Sequence, residues 1–337
     1  MKGLRKGLLT LAAAALVGSM ACMPVLAQDA PGAGKTIKMA RATWDTGWFH
    51  AEIYKQLFEE LGYTVEGPTT LDNPPFYQAV GLGDVDLWVN GWFPLHDSYR
   101  DAFEENAEII GTVAASGALQ GYLVDKASAE KYNIKSLDDF KRDEVKEAFD
   151  RNGDGKADLV ACPPGWGCEL AIDKHLKKYG LKDHINEVKA SYSASMADAV
   201  AAYKNGESIL FYTWTPNWTV NELKPGEDVV WIPVPEKPTK ENSVSGLESC
   251  VADPCVMGFV ANDIVPVANS EFLKANPAIA TLLKEVSIPL EDIFEQNAAM
   301  FKGADKPEDI EKQASDWIKK NRDMVDGWLE AARKAAG

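Results

Sequence analysis

Histidine is scarce, positive charge is in deficit and long apolar runs are missing. Each absence removes a class of function. Four histidines occur in 337 residues. His50, His175 and His184 fall in helical or connecting stretches and read as solvated surface, which leaves His96 as the one histidine beside other site-like residues. There is no Gly-x-Ser-x-Gly, no His-Glu-x-x-His and no glycine-rich phosphate loop, so no enzymatic activity is expected. Lysine and arginine number 35 against 51 aspartates and glutamates, giving a formal net charge of −16. Nucleic acid needs a basic face, and so does an anionic membrane surface. Such acidity suits a secreted protein repelled from its own copies, and a monomer is expected.

The apolar stretch 8–17 is too short to cross a bilayer. It follows Lys2, Arg5 and Lys6, and Val25-Leu26-Ala27 offers a cleavage site before Gln28, so residues 1–27 read as a secretory signal. Lipoprotein processing at Cys22 is disfavoured, because Ser19-Met20-Ala21-Cys22 lacks the aliphatic residue three positions before the cysteine. Cysteine is also sparse, at five residues. Without Cys22, four remain in two close pairs, Cys162 with Cys168 and Cys250 with Cys255. An even count after an export signal reads as two disulfides. Zinc is the weaker alternative, since no histidine stands at ligand spacing beside either pair.

What is present is an alternation of strand and helix. Residues 36–42, 63–66 and 85–89 read as strands, with helices at 49–61 and 75–82 between them. Such a βαβαβ unit implies a mainly parallel sheet covered on both faces. Further strands are expected at 120–125, 158–161, 209–214, 229–233 and 256–261. Helices are expected at 169–179 and 196–204, another is capped by Ser136, and a long one runs from about 308 to 336. About 310 mature residues exceed one hydrophobic core. The expected architecture is α/β with two lobes, each a mainly parallel sheet flanked by helices. Lobe 1 comprises 28–125 and 260–337, lobe 2 comprises 126–259, and two hinge crossings near 125 and 260 leave a cleft between them.

Three tryptophans stand close to Gly or Pro at the ends of apolar runs: Trp92 in Asn90-Gly91-Trp92-Phe93-Pro94, Trp166 in Pro164-Gly165-Trp166-Gly167-Cys168, and Trp214 in Tyr212-Thr213-Trp214-Thr215-Pro216. Core packing accounts for any one of them. Together they are the ring faces that hold an organic cation through its attraction to the ring quadrupole. Gly167 and Cys168 open the helix expected at 169–179, where free backbone N–H groups favour a carboxylate. A disulfide-braced turn without a ligand explains the same residues. His96, followed by Asp97, can donate to a ligand carboxylate or serve as a surface pair. Trp44 and Trp48 follow the first strand, another natural rim for a cleft, where either could contribute a fourth ring face; packing under the first helix is the expected arrangement. Asp150, Asn152, Asp154, the Lys156 carbonyl and Asp158 match the first part of a calcium loop. Ala161 stands where the bidentate glutamate belongs, and a tight Asn-Gly/Asp-Gly turn fits equally. No other cofactor is indicated.

Taken together, Trp92-x-Pro94-Leu95-His96-Asp97, the Cys162-to-Glu169 loop, the stretch from Phe149-Asp150 to Asp158-Leu159, and Tyr212-Thr213-Trp214-Thr215-Pro216-x-Trp218 give a chain that resembles the periplasmic glycine betaine/proline betaine-binding proteins of osmoprotectant ABC importers. The resemblance implies a type II periplasmic binding fold and a periplasmic location. It implies an aromatic box of Trp92, Trp166 and Trp214 around a quaternary ammonium, with the ligand carboxylate on the Gly167 and Cys168 amides and on His96. It further implies delivery of a small zwitterion to an inner-membrane ABC permease. The Cys250/Cys255 pair, the Trp44/Trp48 segment and Gly91 depart from that pattern. A receptor for choline or a sulfonium osmolyte is the alternative within this class, and a secreted hydrolase or calcium-dependent module is the alternative outside it.

Overall fold

The computed structural model describes residues 30–337. The leader, with its cleavage site and Cys22, lies outside the described residues. Two mixed sheets organise the chain. The first contains β1 (Thr36–Ala42), β2 (Thr64–Leu71), β3 (Leu87–Phe93), β4 (Ala107–Ile109), β5 (Ala114–Ala118) and, from far along the chain, β13 (Asn262–Asn269). Its order is β2-β1-β3-β13-β4, with β5 also on β13. The second contains β6 (Gln120–Asp125), β7 (Ala157–Val160), β8 (Ile185–Val188), β9 (Leu210–Trp214) and β10 (Val229–Ile232), in the order β10-β6-β9-β7-β8. A short hairpin of β11 (Ser243–Val244) and β12 (Cys255–Val256) follows.

The sheets are less parallel than their βα alternation suggests. β1 pairs in parallel with β2 and β3, and β7 with β8 and β9. β13 returns antiparallel to β3, β4 and β5, and β6 runs antiparallel to β9 and β10. The reversals come from the two crossings: a strand that enters a sheet from the other lobe is not bound by the βαβ rule. The first crossing is at Leu119, between β5 and β6. The strand expected to close the first lobe therefore belongs to the second sheet. The second crossing occupies residues 257–261, where a strand was expected. Gly258 takes φ +78 there, which breaks the strand and turns the chain back into β13.

Local chemistry explains most element ends. The helix Asn73–Leu82 carries proline in its first turn and stops at Gly83 in the left-handed region (φ +78). Ser136 and Asp139 form a reciprocal capping box on the short 3-10 helix Leu137–Lys141. The expected C-terminal helix is two helices, Pro307–Lys320 and Arg322–Ala335. They part at Asn321, whose Nδ2 donates to the Trp317 carbonyl and so competes with the helical backbone. Cys162–Cys168 and Cys250–Cys255 are both disulfide-bonded.

The calcium-like loop is held by its own hydrogen bonds. The Asp150 carboxylate accepts from the amides of Gly153, Asp154 and Gly155. Asp158 accepts from the Arg151 and Asn152 amides and from the Asn152 and Asn186 side chains. Carboxylate oxygens needed for a cation are turned onto N–H donors, and among the described residues no group of three or more His, Cys, Asp or Glu is placed to hold a metal.

Gly111 joins β4 to β5 with φ +74, and a Cβ there would lie 1.9 Å from the Leu283 carbonyl oxygen. Gly111→Ala combines a left-handed backbone with a backbone clash, and it is expected to destabilise the fold by at least about 2 kcal/mol. Thermal or urea unfolding of the variant checks this; an unchanged midpoint would contradict the packing described.

Candidate functional site

Four tryptophan rings meet between the two sheets. Trp92 lies within β3, not in a loop after it, and all seven residues of that strand are buried. Trp44 lies in the turn after β1. Both come from the first sheet, and both indole N–H groups donate to Asn90 Oδ1, at 2.5 Å from Trp44 and 3.0 Å from Trp92. Trp166 is the N-cap residue of the helix Gly167–Lys178, and Trp214 is the last residue of β9. Trp166 stands edge-on to Trp44 at 5.4 Å and to Trp214 at 5.7 Å between centroids. The Trp214 indole is backed by Tyr192 at 4.8 Å, whose hydroxyl donates to the Tyr212 carbonyl.

The lobes touch through these residues. Trp166 Nε1 donates to Thr43 Oγ1 across the cleft at 2.8 Å, and Thr43 in turn donates to Asp72 at 2.6 Å. Ser193 Oγ donates to Asp45 at 3.2 Å. Trp218 stacks on Phe301 of the helix Leu290–Phe301 at 4.7 Å. The state described is a closed cleft.

The rings line a small cavity between the lobes. Trp44, Trp92, Trp166 and Trp214 line it, together with Leu95, His96, Gln120, Tyr212 and the backbone turn at Gly167 and Cys168. No lining residue is an aspartate, glutamate, lysine or arginine. A cation placed here meets ring faces and no formal anion. All six residues expected at the site are therefore in its wall.

His96 is fully enclosed and is not a surface residue. Burial lowers its pKa to about 3, so the ring is neutral at neutral pH. Its Nδ1 lies 3.1 Å from the Trp92 amide and 2.7 Å from the Tyr77 hydroxyl. An amide N–H can only donate, so Nδ1 is the acceptor and the proton resides on Nε2. The Asn73 side-chain amide lies 3.1 Å from Nε2, and only its oxygen can accept that N–H. Gly167 packs on the same imidazole edge: a Cβ there would lie 2.8 Å from His96 Cδ2. A glycine at this position lets the helix N-terminus close onto the His96 ring at one side of the cavity. Opposite Trp214 in the β6–β9 ladder is Gln120. Its Oε1 accepts from Tyr212 Oη at 2.5 Å, while its Nε2 is buried with no protein partner.

Sequence reading missed Gln120, Tyr212 and Leu95, and it named Trp44 only as a candidate fourth face. Tyr212 had a signal, since residues two apart on a strand share a face and Trp214 was already chosen. Trp44 was expected under the first helix; Trp48 is the ring outside the cavity, capped by Arg41 at 3.8 Å. Gln120 carries no signal without the strand register. His50 and His175 also depart from expectation: both are buried, and burial lowers the pKa of each to about 4.

Known proteins similar to this chain are consistent in kind. A family model described as the substrate-binding domain of ABC-type glycine betaine transport systems matches residues 35–320. The glycine betaine-binding periplasmic protein OusX of Dickeya dadantii is 40% identical over 313 residues, covering 92% of this chain and 93% of its own. The glycine betaine/proline betaine-binding periplasmic protein of Escherichia coli is 37% identical, with the same coverage. Among solved structures, lactococcal OpuAC in its closed form with glycine betaine superposes with a TM-score of 0.68 at 22% identity, over 88% of this chain and 99% of that one.

The three buried neutral histidines set a pH dependence of stability. Their folded pKa values, about 3 to about 4, lie below the unfolded value of about 6.5. As pH falls through 6.5 the unfolded chain takes up protons that the native one refuses, so this contribution is present above pH 6.5 and is lost toward pH 4. Between pH 7 and pH 5 the loss is about 2 kcal/mol per histidine. Thermal unfolding of His175→Gln beside the unaltered chain checks it: the variant's pH slope should be shallower, and equal slopes would contradict the burial.

Proposed function

Because the chain belongs to the family of substrate-binding domains of ABC-type glycine betaine transport systems, we propose that it captures glycine betaine or proline betaine between its lobes and presents the closed form to a membrane permease. The carrying observation is a small, uncharged cavity whose four indoles come two from each lobe and whose side wall is a helix N-terminus. A trimethylammonium group fits the first feature and a carboxylate the second.

Each component has a separate role. The rings attract the cation at roughly 1–2 kcal/mol per face. The Gly167 and Cys168 amides supply donors for the carboxylate, with the Gln120 amide as a further donor in the same wall, while the His96 Nε2 proton is taken by Asn73. The ligand carries both charges internally, so the cavity needs no charged residue of its own. Binding to both half-sites favours the closed state by the difference in affinity between closed and open forms. Net affinity in the micromolar range, about −8 kcal/mol, is what these terms leave after the cost of association. The proteins it resembles are periplasmic, and among the described residues no helix is long and apolar enough to cross a membrane. That membership supports action in the periplasm as a receptor, with the chemistry of uptake left to the transporter.

Calorimetric titration tests the proposal. Trp166→Ala and Trp214→Ala should each weaken glycine betaine binding by about tenfold or more, a loss of at least ~1.4 kcal/mol. Trp44→Ala should do the same, while Trp48→Ala should not. Undiminished affinity in both Trp166→Ala and Trp214→Ala would remove the cage.

A further inference from the structure

Asn90 sits two residues before Trp92 on β3 and is 2% exposed. Its oxygen receives two indole N–H groups, from Trp44 and from Trp92. An indole nitrogen can only donate, so these contacts fix which end of the amide is oxygen. The other end, Nδ2, lies 2.8 Å from His50 Nε2. Nδ2 can only donate, so that ring nitrogen is an unprotonated acceptor. His50 is buried and neutral, which suits this role. Gly47 closes the remaining side, since a Cβ there would come within 3.0 Å of Asn90 Cγ and Nδ2. Three donor–acceptor contacts and a backbone thus clamp one amide in a single orientation.

We propose that Asn90 is the positioning residue for the first lobe's half of the cage: one amide oxygen holds the planes of Trp44 and Trp92 at the attitude they present to the cavity. Its consequence for binding rests on the betaine reading above, while its geometry does not. Trp166 and Trp214 are outside its reach, because Trp166 Nε1 is held by Thr43 and both rings belong to the second lobe. All partners of Asn90 lie in residues 44–92, so the arrangement is in place before the lobes close, and no ring need be ordered at the moment of capture. An aspartate would offer the same acceptor to both indoles but would oblige His50 to carry a proton on Nε2. Leucine would leave two indole N–H groups and an imidazole nitrogen buried without partners.

The test is NMR of the full mature chain with 15N-labelled tryptophan, the two indole signals being assigned through Trp44→Phe and Trp92→Phe. Both indole protons should exchange slowly with solvent, with or without glycine betaine. Asn90→Leu should move both signals and speed their exchange, and should weaken glycine betaine binding by about tenfold or more. Asn90→Asp should restore both signals, recover part of the lost affinity and raise the titration point of His50. The proposal is overturned if either indole signal is unmoved in Asn90→Leu, or if affinity survives there while both signals are lost. Should that variant not fold, the unaltered chain decides alone: free exchange of the two indole protons overturns the proposal and protection supports it. If the indole pattern is as expected but the unaltered chain does not bind glycine betaine, the role of Asn90 stands and the ligand assignment fails.

Discussion

A quaternary ammonium ion has no N–H to donate, so no hydrogen bond can hold it. It can be held by a carboxylate, which brings a desolvation cost, or by the faces of aromatic rings, which do not carry a formal charge. The cavity described here uses rings alone, and much of the structure serves that choice. Four indoles line the cavity, with no acidic or basic side chain in its wall. Indoles also have an N–H that must be satisfied when buried. Three of the four are: Trp44 and Trp92 on Asn90, and Trp166 on Thr43.

The folding pattern places those rings on opposite walls. Trp92 belongs to a fully buried central strand of the first sheet, and Trp214 ends a buried strand of the second. The chain leaves the first sheet at Leu119 and returns after residue 261, so each wall is rigid by itself while the gap between them depends on two short crossings. The disulfide Cys162–Cys168 ties the turn that carries Trp166 to the start of the following helix. Ring and anion-binding amides are therefore fixed relative to each other. His96, neutral because it is buried, lines the wall without adding a charge that would repel the ligand's ammonium group.

How much of this the sequence discloses depends on whether the cause is local. β1 and β6 are legible to the residue, because strand alternation and flanking turn residues are properties of a few neighbours. Trp92, Trp166, Trp214 and the Gly167–Cys168 turn are legible for the same reason. The antiparallel return of β13 and the crossing at Leu119 are not, since pairing between residues far apart leaves no local mark. Gln120 and Trp44 reach the cavity only through such pairing and through the turn after β1. His50 and His175 were misplaced because a lone histidine on a helix looks solvated until the partners that bury it are known. Asp150 and Asp158 are a local pattern of another kind: their spacing matches the first part of a calcium loop, and their oxygens accept from N–H groups within an Asn-Gly/Asp-Gly turn.

The central claim is that the site takes a zwitterion, with rings for the cation and backbone amides for the anion. Calorimetric titration of the unaltered mature chain with glycine betaine and with choline tests it most directly, since choline keeps the trimethylammonium group and lacks the carboxylate. Charge-assisted hydrogen bonds of about 1.5–3 kcal/mol each would be lost, so glycine betaine should bind in the micromolar range and choline at least about tenfold more weakly. Equal affinity for the two would show that the Gly167–Cys168 turn plays no part in recognition.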